Sequence, residues 1–155
     1  IEAGDAALYV KGFVAGATAT NPDVDVKVSW IGSFSDVALA SESANTHIAA
    51  GADVLTGTAQ MVVGAIGVAE ENGVLWFGTQ ASQTSLAPDI VVANQVYDWT
   101  GTLESMIAMI KDGTMGGTAF AITLANGGLK ITVNAEALVG PTIQGIIDGT
   151  IEIEL

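Results

Sequence analysis

Residues 71–89 read ENGVLWFGTQASQTSLAPD, and their order decides the fold class. Asn72-Gly73 is a helix stop, Val74–Phe77 is an apolar run of strand length, and Gly78–Gln83 is a polar turn. The same grammar recurs upstream. Met61–Glu71 has the length and apolar content of a buried helix, preceded by a short strand at Ala52–Leu55 and the turn Thr56–Gln60. Before that, Val24, Val26, Val28 and Trp30 alternate with polar residues as in a strand. The turn Gly32–Asp36 follows, with Ser35 or Asp36 as N-cap of a helix that Gly51 ends. Strands alternating with helices of this length predict βαβ units and a doubly wound, mostly parallel α/β sheet.

The flanks extend this frame. Ala6, Val10, Phe13 and Val14 recur at helical spacing, with Gly4 or Asp5 as the cap and Asn21-Pro22-Asp23 as the stop. Downstream, Ile90–Ala93 reads as a strand, and Asp98 or Thr100 opens a helix to Lys111 that Asp112-Gly113 ends. Thr118–Leu124 and Leu129–Val133 flank Ala125-Asn126-Gly127-Gly128, a hairpin signal. Asn134 is positioned to cap a helix through about Ile147, with Pro141 marking a kink or a late start. Thr150–Leu155 alternates again, as an edge strand or tail. With 155 residues the expectation is one α/β lobe, 1–155, with 134–155 as a terminal helix and tail.

Composition narrows the function. Seventeen acidic residues face four lysines (Lys11, Lys27, Lys111, Lys130) and no arginine, for a net charge of −13. Four scattered lysines cannot neutralise a phosphate backbone or an anionic bilayer, so nucleic acid and membrane surfaces are not expected partners. Absence of cysteine removes disulfides and thiolate metal sites. No apolar run reaches the roughly 18–20 residues of a spanning helix. No start methionine, basic n-region or signal-type apolar segment is present, which reads as a mature fragment, a cytoplasmic chain or an incomplete one.

Catalytic chemistry is thin. His47 is the sole histidine and lies mid-helix, while Glu70-Glu71 reads as a solvated helix end and Glu152 and Glu154 as an exposed strand face. The sequence holds no phosphate-binding P-loop, dinucleotide fingerprint or Gly-x-Ser-x-Gly elbow. No cofactor or metal is expected.

Binding chemistry is better supplied. In a doubly wound sheet the turns after parallel strands share one edge, where ligands bind. Here those turns bring Ser33 and Phe34, then Thr58 and Gln60, then Gln80, Ser82 and Gln83, with Tyr97 and Trp99 after the next strand. Hydroxyls, amides and aromatic faces suit a neutral, flat, polar solute. The competing reading makes the hydroxyls mere helix caps and Trp99 a packing residue; Trp30 and Trp76, inside strand runs, read as core.

Taken in order, GFVAGATATNPDVDVKVSWIGSFSD, GADVLTG, AEENGVLWFGTQASQTSLAPD, YDWTG, IKDGTMGG and IIDGTI resemble the basic membrane protein family of ABC-transporter substrate-binding lipoproteins, which includes purine-nucleoside receptors. The resemblance covers nearly the whole chain. It implies a type I periplasmic-binding-protein fold, two α/β lobes around a hinged cleft, with this chain as the second lobe and the first lobe missing. The 118–133 hairpin would then belong to a crossing toward that lobe or to that lobe's edge. It also implies a non-catalytic protein, a permease as partner, and a periplasmic or extracellular location with a lipid anchor. Two departures stand out. Gln80-Ala81-Ser82 replaces an acidic Asp-Ser-Asp-like segment whose carboxylate binds sugar hydroxyls, and Thr56 stands where an aromatic residue is common. Tyr97-Asp98-Trp99 is similar to members that bind a purine base. The alternatives are a sensory or regulatory domain of the same fold and a small α/β enzyme.

Overall fold

The computed structural model describes residues 1–133 and 136–151, with 136–141 as backbone only. Its elements are α1 (Gly4–Thr20), α2 (Val37–Ala49), β1 (Val54–Thr56), α3 (Val62–Asn72), β2 (Leu75–Gln80), β3 (Val91–Tyr97), α4 (Thr100–Lys111), β4 (Leu129–Val133) and α5 (Glu136–Ile147). The strands form one sheet in the order β1-β2-β3-β4. The β1–β2 and β2–β3 pairs are parallel, and β4 joins β3 antiparallel. This is the expected mixed α/β architecture with a mostly parallel sheet.

Alternation along β2 sorts the layers. Trp76 points to the face covered by α3, into a core of Val62, Ile66, Ala69, Val74, Ala87, Ile90 and Val91. Phe77 points to the other face, where its ring meets Phe13 of α1 edge-on, centroids 5.7 Å apart. Thr56, in register with Phe77, binds Tyr9 of α1 on that same face. The sheet is therefore clothed on both sides, α1 on one and α3 on the other, with α2 packed on α3. That packing is close at Gly64, where a Cβ would lie 2.5 Å from both Ser41 Oγ and the Val37 carbonyl.

Several expectations give way. Residues 24–30 form no strand, and Trp30 is exposed rather than core. Alternation alone does not make a strand; a ladder partner does, and among the described residues β1 is hydrogen-bonded on one side only. The 118–133 hairpin forms only its turn, at 124–127, and its second arm, β4. The first arm is outside the sheet, because β4 finds its partner in β3. Strand β3 runs to Tyr97, four residues past the expected end, so Tyr97 closes a strand instead of following one. The link from β2 to β3, by contrast, is a run of turns, as its polar residues through Pro88 predict. Helix α5 starts at Glu136 and passes through Pro141, against a late start. Asn134 and the 152–155 tail, with Glu152 and Glu154, lie outside the described residues.

Candidate functional site

The loop before α2 and the loops after β1 and β2 are tied to one another. Before α2, Ser33 Oγ accepts from the Ser35 and Asp36 amides at 3.1 and 3.0 Å. Asp36 then caps α2 through the Leu39 amide at 3.0 Å. The carbonyl of Phe34 accepts from the Met61 amide at 3.2 Å, joining this loop to the one after β1. That second loop is joined to β2 twice. Thr79 Oγ1 donates to the Gly57 carbonyl at 2.8 Å, and the Ala59 amide donates to Gln80 Oε1 at 3.2 Å. Ser33, Phe34, Thr58, Gln60 and Gln80 thus occupy linked loops at one end of the sheet.

The aromatic pair stands at the same end. Gln80 is in parallel register with Val96, so Tyr97 lies one step beyond it on the next strand. The Tyr97 and Trp99 rings are 5.7 Å apart and tilted by 54°, and Trp99 is half exposed. Between them in sequence, Asp98 binds Lys130 of β4 through Oδ2 and the Thr100 amide through Oδ1. The Lys130 hydrogen bond, then those from Thr100, hold the Asp98 carboxyl well below the usual carboxylate range. A hollow of about 400 Å³ opens beside it, between the start of α4 and the 126–128 turn, with Asp98, Thr100, Ser105, Phe120 and Asn126 on its walls.

Not every predicted residue joins. Ser82 Oγ lies 3.5 Å from Thr84 Oγ1, within its own connection. Gln83, counted among the exposed amides of the turn, is buried and structural. Its Oε1 accepts from Trp76 Nε1 at 2.7 Å, its Nε2 donates to the Thr79 carbonyl, and its amide donates to Asn94 Oδ1. Asn94 in turn donates to Thr84 and Thr132, and its Oδ1 occupies the space a Cβ at Gly78 would need. A buried indole N–H requires an acceptor, the one sequence signal that could have assigned Gln83 to Trp76.

Two features of the site carried no sequence signal. Ala59 and Gln80 adopt left-handed backbone at φ 76° and 70°, a region L side chains rarely occupy. Thr56 Oγ1 donates to the Phe77 carbonyl at 2.8 Å, so the 2.6 Å contact with Tyr9 is donated by the phenol. Thr56 is therefore a structural hinge-pin between α1 and the sheet. Burial pushes the Tyr9 hydroxyl up to about 12, the Thr56 bond partly opposing it.

A two-faced, mostly parallel sheet with linked loops at one end is an open α/β architecture, in which ligands bind at the carboxyl ends of the strands. Residues 4–153 match the family described as ABC transporter substrate-binding protein PnrA-like, or Bmp, and the chain belongs to that family. It is 30% identical over 105 residues to a purine-binding protein of Brucella abortus, covering 68% of this chain and 30% of that protein. Over 111 residues it is 26% identical to a Haloferax volcanii protein named as a candidate ABC transporter glucose-binding protein, covering 72% of this chain and 28% of that one. Among solved structures, an ABC transporter solute-binding protein of Conexibacter woesei superposes with a TM-score of 0.72 at 23% identity, over 93% of this chain and 51% of that one. A transcriptional activator of the comK gene from Bacillus halodurans gives 0.80 at 16% identity, over 94% and 54%. These two share the fold. The chain spans about half the length of those structures and under a third of the curated relatives. Proteins of this family bind solutes for import and are generally non-catalytic.

Proposed function

We propose that this chain supplies one lobe of the solute receptor of an ABC importer, and that the solute is a nucleoside, a purine or a similar neutral heterocycle. The observation that carries the reading is the linkage of three loops, through Phe34 to Met61 and Ala59 to Gln80, beside the Tyr97–Trp99 pair. Aromatic faces stack on a flat ring, while Ser33, Thr58, Gln60 and Gln80 reach its polar edge. Kinship with a purine-binding protein supports the heterocycle over other solutes.

Capture would proceed by closure of a second lobe over this edge, followed by docking of the closed receptor on a membrane permease. Such a receptor works in the periplasm or outside the cell, held by a lipid anchor. Among the described residues no helix is long and apolar enough to cross a membrane. The test is calorimetry of the complete two-lobe protein against nucleosides, free bases, a riboflavin-like heterocycle and glucose. Saturable heat with a purine or nucleoside is expected; heat with glucose alone would move the assignment to sugars.

A further inference from the structure

Resting on that heterocycle reading, we infer that Gln80 is a specificity-determining donor, which selects a solute offering a bare hydrogen-bond acceptor, a carbonyl oxygen or unprotonated ring nitrogen. The assignment follows from hydrogen-bond polarity. The partner of the Gln80 carboxamide is the Ala59 backbone amide, 3.2 Å from Oε1. A backbone N–H can only donate, so the carboxamide oxygen must face it. The NH2 group is then turned the other way, and its two donors have no partner among the described residues. Gln80 is exposed, at the linked edge of the sheet and one register step before Tyr97.

The backbone reinforces this orientation. Gln80 and Ala59 are the non-glycine residues at positive φ among the described residues, and each is one partner of this bond. Left-handed backbone at position 80 ends the β2 pairing and sets the side chain toward the loop after β1. A carboxylate there could also accept from Ala59, but would show the solute only acceptors. An amide with its oxygen occupied reverses that polarity.

The test uses the 15N-labelled chain, titrated with hypoxanthine, inosine and adenosine at millimolar concentration, with Gln80→Glu as the variant. Glu keeps the length and the acceptor for Ala59 while deleting the donors. A probe that binds should displace the Gln80 side-chain NH2 resonances, and Gln80→Glu should weaken it about tenfold or more with the Ala59 amide signal and melting temperature near wild type. Equal affinity in both proteins, or binding without displacement of the NH2 signals, overturns the donor assignment and leaves the heterocycle reading intact. If no probe moves any resonance of the wild type, the heterocycle reading falls and this inference falls with it.

Discussion

Ala59 holds a left-handed backbone with a Cβ that opposes it, at a cost of roughly 1–2 kcal/mol. Glycine removes that cost but gives back part of it through a freer unfolded chain. Ala59→Gly should therefore raise stability by about 0.5–1 kcal/mol in urea melts, since its amide can still reach Gln80. A loss of stability would mean the loop does not hold this conformation in solution. Tyr9 makes a second prediction, in alkali. Its hydroxyl has a folded value of about 12 against 10.0 for the free side chain, so the folded state keeps the proton longer. Stability from this group is full below about pH 10 and falls as pH rises toward 12. The fall is on the order of 2 kcal/mol, and Tyr9→Phe should abolish it. An unchanged alkaline profile in Tyr9→Phe would show that the phenol is already solvated. At this scale the sequence was half legible. Amide-bearing turns were visible, but whether an amide serves a solute or an indole depends on which neighbour is buried beside it. Gln80 and Gln83 are three residues apart, yet one is exposed with its oxygen on the Ala59 amide and the other is buried with its oxygen on the Trp76 indole.

At the scale of elements, the helices α1 to α4 and the presence of the two central strands were readable, because apolar runs bounded by Asn-Gly or capping residues stand out, although both strands run past their expected ends. Asp36 and Gly73 act at the ends expected of them. Segment 24–30 was not readable, because its alternation describes a residue pattern, whereas a strand is a relation between two segments. Within the turns of 81–90, the burial of Gln83 and Ala87 escaped for a similar reason: it comes from contacts with β2 and β3 that local pattern does not encode. Close packing of α2 on α3 gives the prediction proper to this scale. Gly64→Ala would place a methyl against backbone and a hydroxyl of α2, and the carbonyl of Val37 cannot step aside without moving the helix. Overpacking of this kind costs typically ~1–3 kcal/mol, to be read from the urea midpoint. Because Met61 binds Phe34 across the same pair of helices, the shift should also disturb the loop linkage. A neutral Gly64→Ala would contradict the described helix contact.

For the whole molecule, the distribution of apolar surface matters more than its amount. Leu103, Met106, Ile107 and Ile110 recur at helical spacing along α4, are 41–57% exposed, and none of that helix is buried. The stripe has the period of a packing face, and α4 shares little of its surface with the sheet. At one edge of the sheet, β1 has a strand partner on one side only among the described residues. A monomer carrying such a stripe gains by covering it, and α4 carries only two charged residues, Glu104 and Lys111, to oppose this. The chain should therefore self-associate reversibly, with an apparent mass that rises above 15.7 kDa as concentration increases in sedimentation equilibrium. Ile107→Glu combined with Ile110→Glu puts two carboxylates on the stripe without touching the linked loops, and should return the mass to the monomer value. If the wild-type chain already stays at that value across the concentration range, the stripe is not an association surface. If the double variant associates as strongly as the wild type, the open β1 edge rather than α4 holds the copies together.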